Sequence, residues 1–94
     1  MTNTIILSRF SDVLTSRTVG MEVRKSVKIG EKNIFDFSGI KMVTHSFCDE
    51  VFGKIFTELG PDGFRKTLGF KNINQTQLAI IKGSLASHEM SPSL

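Results

Sequence analysis

Two patterns of apolar residues alternate along this chain. Short apolar blocks predict strands, because they are too short for helices, whereas longer stretches with apolar residues every three or four positions predict helices. Strands are predicted at residues 4–7, 34–37 and 67–73. Helices are predicted at residues 16–28, 46–59 and from residue 74 onward. This alternation predicts βαβ units, and therefore a small α/β domain with a mostly parallel or mixed sheet of three to four strands and about three helices.

The first predicted helix carries Val19, Val23 and Val27 on one side. Gly20 lies at the edge of that side and predicts a close approach of the helix to the sheet. Gly30 is expected to close the helix, because glycine is common just past helix ends.

The second predicted helix has the clearest signals. Ser46 is expected to be its N-cap, with Asp49 three residues later in a box-like arrangement. Glu50 and Lys54 form a favourable pair four residues apart. The segment Gly-Pro-Asp-Gly at 60–63 is predicted to end the helix and turn the chain. The apolar stripe consists of Phe47, Val51, Ile55, Phe56 and Leu59.

The third predicted helix starts at Asn74, which has Gln77 three residues on. Its inward-facing residues are predicted to be Leu78, Ile81 and Leu85. With 94 residues, the chain is expected to be a single domain with a core at about residues 4–88 and a flexible tail at 89–94.

Composition narrows the function classes. The net charge is +3, but the basic residues are spread along the chain rather than gathered in the dense patch of a dedicated nucleic-acid domain. One cysteine excludes an intramolecular disulfide and a multi-thiolate zinc site, which favours a reducing, cytoplasmic setting. No signal peptide and no apolar run long enough to span a bilayer is recognised. No cofactor or metal is predicted, since no phosphate loop or ligand spacing is found.

Two segments in the middle of the chain resemble a known family. They are Asp-Phe-Ser-Gly-Ile at 36–40 and Ser-Phe-Cys-Asp-Glu-Val-Phe-Gly at 46–53. Together they look like the signature of the bacterial and phage STAS-like domains of unknown function. Residues 16–20 with Arg24 resemble the first-helix pattern of that family, and residues 70–74 its last strand and turn. The resemblance covers roughly residues 5–85.

This family is similar to the STAS domains of anti-sigma factor antagonists, in which a partner kinase phosphorylates a serine at the start of the corresponding helix. Ser46 falls at the matching position. The chain differs from the antagonists at Thr44, where they usually have Asp, and at Phe47, where they have Gly. The resemblance implies a protein partner such as a histidine-kinase-like ATPase or kinase, or a DNA-binding regulator. A homodimer is a further expectation, because a small open sheet leaves edges to cover.

Each acidic or hydroxyl candidate has a structural and a functional interpretation. Ser46 is either a helix cap or a phospho-acceptor and partner contact, and Thr44 lies beside it. Asp36 either bonds backbone amides in the turn after its strand or forms a charged group at the sheet edge. Asp49 either complements the helix dipole or contributes to a partner-binding surface.

Other side chains suggest docking or chemistry. Arg17, Arg24 and Lys28 share one face of the first helix, either as solvated charges or as a docking face for an acidic partner or phosphate. His45, Cys48 and Asp49 could form a nucleophile–base pair or a set of metal ligands, but no third partner with suitable spacing is found. Cys48 is therefore expected to be a buried core residue.

These observations favour a non-enzymatic regulatory module. It is expected to bind a protein partner through the N-terminal end of the second helix and to be switched by phosphorylation of Ser46. One alternative is a nucleic-acid-binding accessory protein that uses the basic first-helix face. Another is a small enzyme, which would need a pocket joining Asp36, His45 and Ser46.

Overall fold

The computed structural model describes residues 1–90, and the side chains of residues 1–86. The strands are β1 (Thr2–Ile6), β2 (Val13–Leu14), β3 (Lys32–Asp36), β4 (Met42–Val43) and β5 (Leu68–Lys71). The helices are α1 (Arg17–Lys25), α2 (His45–Cys48), α3 (Lys54–Thr67) and α4 (Gln75–Met90), with a 3₁₀ turn at Leu7–Arg9. A π-helical turn at Asp49–Gly53 joins α2 to α3. We call the continuous helix over residues 45–59 the central helix.

The main sheet is parallel and has the order β1-β3-β5, which confirms the predicted fold class. Phe35 on the middle strand lies opposite Ile5 on one side and Phe70 on the other. A second, two-stranded parallel sheet pairs β2 with β4 and was not predicted. Each of its strands has two residues, too few to give an alternating pattern in the sequence.

The core is a cluster of phenylalanines between the sheet and the central helix. The Phe52 ring lies 5.0 Å from that of Phe35 and 5.4 Å from that of Phe70, both edge to face. Phe47 contacts Phe52 from the preceding turn, at 6.3 Å. The π turn packs against α1 and α4 as well, and its residues 50–53 are all buried. The central helix is therefore enclosed on most sides at this level.

The central helix ends where predicted, but the chain does not simply turn there. Gly60 has φ 74° and ψ 174°, so it breaks the helix in a conformation that suits glycine. Pro61 then begins a further helical segment that reaches Thr67, a position where proline's missing N–H costs nothing. The turn signal at 60–63 thus marks a kink, and the helical segment after it was missed.

Gly20 does mark a close approach, but not to the sheet. A Cβ at this position would lie 3.0 Å from both Cβ and Cγ of Glu50. The expectation that α1 approaches the sheet at Gly20 is therefore wrong: α1 meets the central helix there.

The first and last helices, α1 and α4, each begin at a side-chain cap. Ser16 accepts a hydrogen bond from the Val19 N–H at the start of α1, which ends at Lys25 rather than residue 28. Asn74 and Gln77 bond each other's backbone N–H groups at 2.7 and 3.1 Å, which confirms the predicted start of α4. Ile81 of α4 is buried as expected. The predicted tail at residues 89–94 falls partly in α4, and its residues 91–94 lie outside the described part of the chain.

Candidate functional site

The N-terminus of the central helix is capped by Thr44, so the expectation that Ser46 is the cap is wrong. Thr44 has extended backbone angles, and its Oγ1 accepts a hydrogen bond from the Phe47 N–H at 3.4 Å. Its hydroxyl also donates to the Thr15 carbonyl at 3.4 Å, which ties the helix start to the segment before α1. Ser46 is the second residue of the helix, and its side chain is exposed.

This separation of roles leads to a testable contrast between two neighbouring hydroxyls. Thr44→Ala removes the cap and should lower the free energy of unfolding by about 1 kcal/mol. Ser46→Ala should change it by less than about 0.5 kcal/mol, as is usual for exposed positions. Urea denaturation of both variants measures the contrast. Equal losses in the two variants would show that Ser46 has a structural role.

Ser46 borders a shallow cavity of about 190 Å³ at this helix end. Its other lining residues are Arg17, His45, Asp49 and Ser84. Arg17 Nη1 lies 3.2 Å from Asp49 Oδ2. The cavity therefore contains a cation and a carboxylate, and the charge of Arg17 partly neutralises that of Asp49. The buried Ser84 hydroxyl has no hydrogen-bond partner among the residues described. The sequence had indicated Arg17, His45, Ser46 and Asp49 as candidate functional residues. It gave no signal for Ser84.

The proposed arginine face is not a row of free cations. Arg24 Nη2 lies 3.0 Å from Glu50 Oε2, and Arg17 Nη1 lies 3.7 Å from Glu50 Oε1. Lys28 lies beyond the end of α1 and is exposed. Arg17 and Arg24 are thus partly exposed charges that pair with acids of the central helix.

Glu50 is the centre of this ion-pair cluster, and sequence analysis did not identify it as such. Its side chain is 5% exposed, and Lys54 Nζ lies 3.1 Å from Oε2, as the predicted pair requires. Burial raises the pKa of Glu50, but hydrogen bonds and Coulombic attraction from Lys54 and Arg24 together outweigh burial, so the pKa is lowered overall. The carboxylate is thus held ionised inside the domain and joins α1 to the central helix.

Asp36 lies at the carboxyl end of β3, as predicted, and has the structural contacts of a turn residue. Its Oδ1 accepts hydrogen bonds from Asn72 Nδ2 at 3.0 Å and from the Ser38 N–H at 2.9 Å. These bonds lower the pKa of Asp36, with a smaller contribution from Lys71. Asp36 does not line the cavity that contains His45 and Ser46, so the structure does not bring together the three residues of the enzyme alternative.

Cys48 is fully buried, which confirms its predicted core position. Burial raises the pKa of its thiol to about 12, so the reactive thiolate is scarce at neutral pH. We therefore expect a thiol reagent such as DTNB to label the native protein slowly, and the unfolded protein quickly. Fast labelling of the native protein at neutral pH would contradict this prediction.

The described part of the chain has neither a metal-binding cluster nor a membrane-spanning helix. Among the side chains of residues 1–86, no group of three or more His, Cys, Asp or Glu residues is placed to hold a metal ion. No helix in that range is both long and apolar enough to cross a membrane.

Comparison with known families decides what kind of domain this is. The family model described as "STAS-like domain of unknown function (DUF4325)" matches residues 19–78, well over half of the chain. The chain belongs to this family. The match confirms the resemblance drawn from residues 36–40 and 46–53, and both segments lie inside it. It also takes in α1 from residue 19 onward and the whole central helix of the STAS-like domain. No curated protein and no solved structure matches the chain.

Proposed function

We propose that this STAS-like domain is a non-enzymatic regulatory module that binds a protein partner through the N-terminal end of the central helix. Phosphorylation of Ser46 is proposed to switch that binding. The observation that carries the proposal is the exposed Ser46 hydroxyl, which has no hydrogen-bond partner among the described residues. The helix cap is supplied by Thr44 instead. A modification of Ser46 therefore leaves the cap intact.

The surroundings of Ser46 favour a phosphate there. The first N–H groups of a helix lack intrahelical acceptors, and the helix dipole is positive at this end. Arg17 borders the same cavity, and its guanidinium can bond two phosphate oxygens at once. A phosphate on Ser46 would compete with Asp49 for Arg17, so the modification would change the charge and the side-chain arrangement of the surface together.

The surface has the mixed character of a regulated contact. It combines an exposed imidazole, a hydroxyl, a cation and a carboxylate around a shallow depression rather than a deep pocket. Arg17 and Asp49 are about half and one third exposed, so both side chains are available to a partner at the edge of this surface. The STAS-like resemblance favours a histidine-kinase-like ATPase or kinase, or a DNA-binding regulator, as that partner.

Capture of the partner from native lysate, followed by hydrogen exchange of the complex, tests the location of the contact. We expect slower amide exchange in residues 44–49 and at the start of α1 when the partner is bound. Arg17→Gln should weaken binding at least tenfold, whereas Lys66→Gln, at an exposed position outside this cavity, should not. A footprint that leaves residues 44–49 unchanged would contradict the proposal.

A further inference from the structure

The outer edge of the main sheet, at β1, is open. The sheet order β1-β3-β5 leaves β1 with one neighbour, β3. Within the described part of the chain, the backbone of Thr2–Ile6 makes no hydrogen bond to an element other than β3. Backbone N–H and C=O groups that point outward from such a strand are a ready template for another strand.

A cavity of about 330 Å³ runs beside this edge. Four consecutive β1 residues, 3–6, line it. Successive side chains of a strand point to opposite faces of the sheet, so a space that touches four in a row lies along the strand edge rather than over one face. The cavity is therefore placed where an added strand would lie.

Two cations border this cavity, and no acidic residue does. They are Arg9, just after β1, and Lys28, in the connection between α1 and β3. Neither forms an ion pair with any residue that the structure describes. Arg17, Arg24 and Lys54, by contrast, are all engaged by acids.

The position of Lys28 is fixed by a buried asparagine. Asn33 Oδ1 accepts a hydrogen bond from the Lys28 N–H at 2.9 Å, and Asn33 Nδ2 donates to the Lys28 carbonyl at 2.9 Å. Asn3 of β1 donates to Asn33 Oδ1 at 2.8 Å and to the Ser26 carbonyl at 2.9 Å. The backbone that carries one cation is thus anchored directly to the open strand.

Natural edge strands are often protected by a charged residue or a proline within the strand. β1 has the sequence Thr-Asn-Thr-Ile-Ile and contains neither. The opposite edge strand, β5, contains Gly69 and Lys71. The cations at the β1 edge flank the strand instead of interrupting it, so they leave its backbone free to pair.

We propose that β1 is a second interaction surface, which binds an extended acidic segment of another protein as an added strand. Main-chain hydrogen bonds to β1 would supply affinity. Contacts between the acidic side chains of the bound segment and the cations Arg9 and Lys28 would supply specificity. A second copy of this chain fits less well, because pairing two β1 edges would bring four uncompensated cations to one interface. This surface is distinct from the one at Ser46 and does not depend on it.

Peptide titration of the ¹⁵N-labelled protein, followed by NMR, tests this proposal. The probe is the blocked hexapeptide Ac-Val-Glu-Val-Glu-Val-Thr-NH₂, and its control has Gln in place of both Glu residues. We expect saturable shifts in the amides of residues 2–6, at least tenfold weaker binding of the Gln peptide, and weaker binding at higher salt. Arg9→Gln/Lys28→Gln should weaken binding at least tenfold, whereas Lys66→Gln/Lys82→Gln, with the same charge loss elsewhere, should not.

Three outcomes would overturn the proposal. The first is the absence of saturable β1 shifts up to about 1 mM peptide. The second is equal affinity for the Glu and Gln peptides. The third is a dimer, seen by sedimentation equilibrium without peptide, whose β1 amides are protected from exchange, since the edge would then be filled by a second copy.

Discussion

Replacing Phe52 with alanine is expected to lower the free energy of unfolding by about 3–5 kcal/mol, a large fraction of the stability of a small domain. Phe52 is fully buried, and its ring contacts Phe35, Phe47 and Phe70. Its removal would leave a cavity between the sheet and the central helix. Because the π turn is enclosed by α1, α4 and the sheet, the surroundings have little freedom to close that cavity.

Urea denaturation of Phe52→Ala beside Phe10→Ala measures this effect. Phe10 is 37% exposed and lies outside the core cluster, so its replacement should cost less than about 1 kcal/mol. A loss for Phe52→Ala no larger than that for Phe10→Ala would show that the π turn is not packed as described.

Glu50→Gln is expected to lower the free energy of unfolding by about 2 kcal/mol at neutral pH. Removing one member of a fully buried ion pair costs about 3–5 kcal/mol, but Arg24 and Lys54 are partly exposed here and water can solvate them when Glu50 is neutral. The amide keeps the size of the side chain, so the loss reports the charge rather than packing.

The pH dependence of that loss has a definite sign. The pKa of Glu50 is lowered in the folded protein, so its ionised form contributes stability above the unfolded-state pKa of about 4.3. This contribution disappears as the pH falls through the folded-state pKa. The wild-type protein and Glu50→Gln should therefore converge in stability as the pH falls below the lowered folded-state pKa of Glu50.

Glu58→Gln is the matched control for this prediction. Glu58 lies on the same helix, is exposed and forms no ion pair with a described residue. Its replacement should change the free energy of unfolding by less than about 0.5 kcal/mol at both neutral and acidic pH. A difference between wild type and Glu50→Gln that persists at low pH would contradict the assignment of an ionised Glu50.

Local signals in the sequence predicted the fold class and several helix ends correctly. The Asn74–Gln77 box spans one helical turn, so its geometry is implied by its spacing. Thr44 and Ser46 are both good caps by residue type, and the choice between them depends on the extended backbone of Thr44 and its bond to Thr15, 29 residues away. Spacing alone cannot supply that information.

The ion-pair cluster and the π turn also depend on contacts between residues that are distant in the sequence, so local patterns did not predict them. The sequence indicated only the pair of Glu50 with Lys54, because Lys54 is four residues away whereas Arg24 is 26 residues distant. The burial of Glu50 follows from Gly20, which lets α1 come close enough for Arg24 to reach it. The π turn has no local sequence pattern of its own, and it brings residues 50–53 into the core together.

The affinity of the captured partner for Ser46→Asp relative to Ser46→Asn tests the central proposal most directly. Asp and Asn have nearly the same shape and differ by one negative charge, so any difference in Kd reports charge at the start of the central helix. We predict that the two Kd values, measured by isothermal titration calorimetry, differ at least tenfold, with Ser46→Asn close to wild type. Equal Kd values for the two variants would contradict a phosphorylation switch at Ser46.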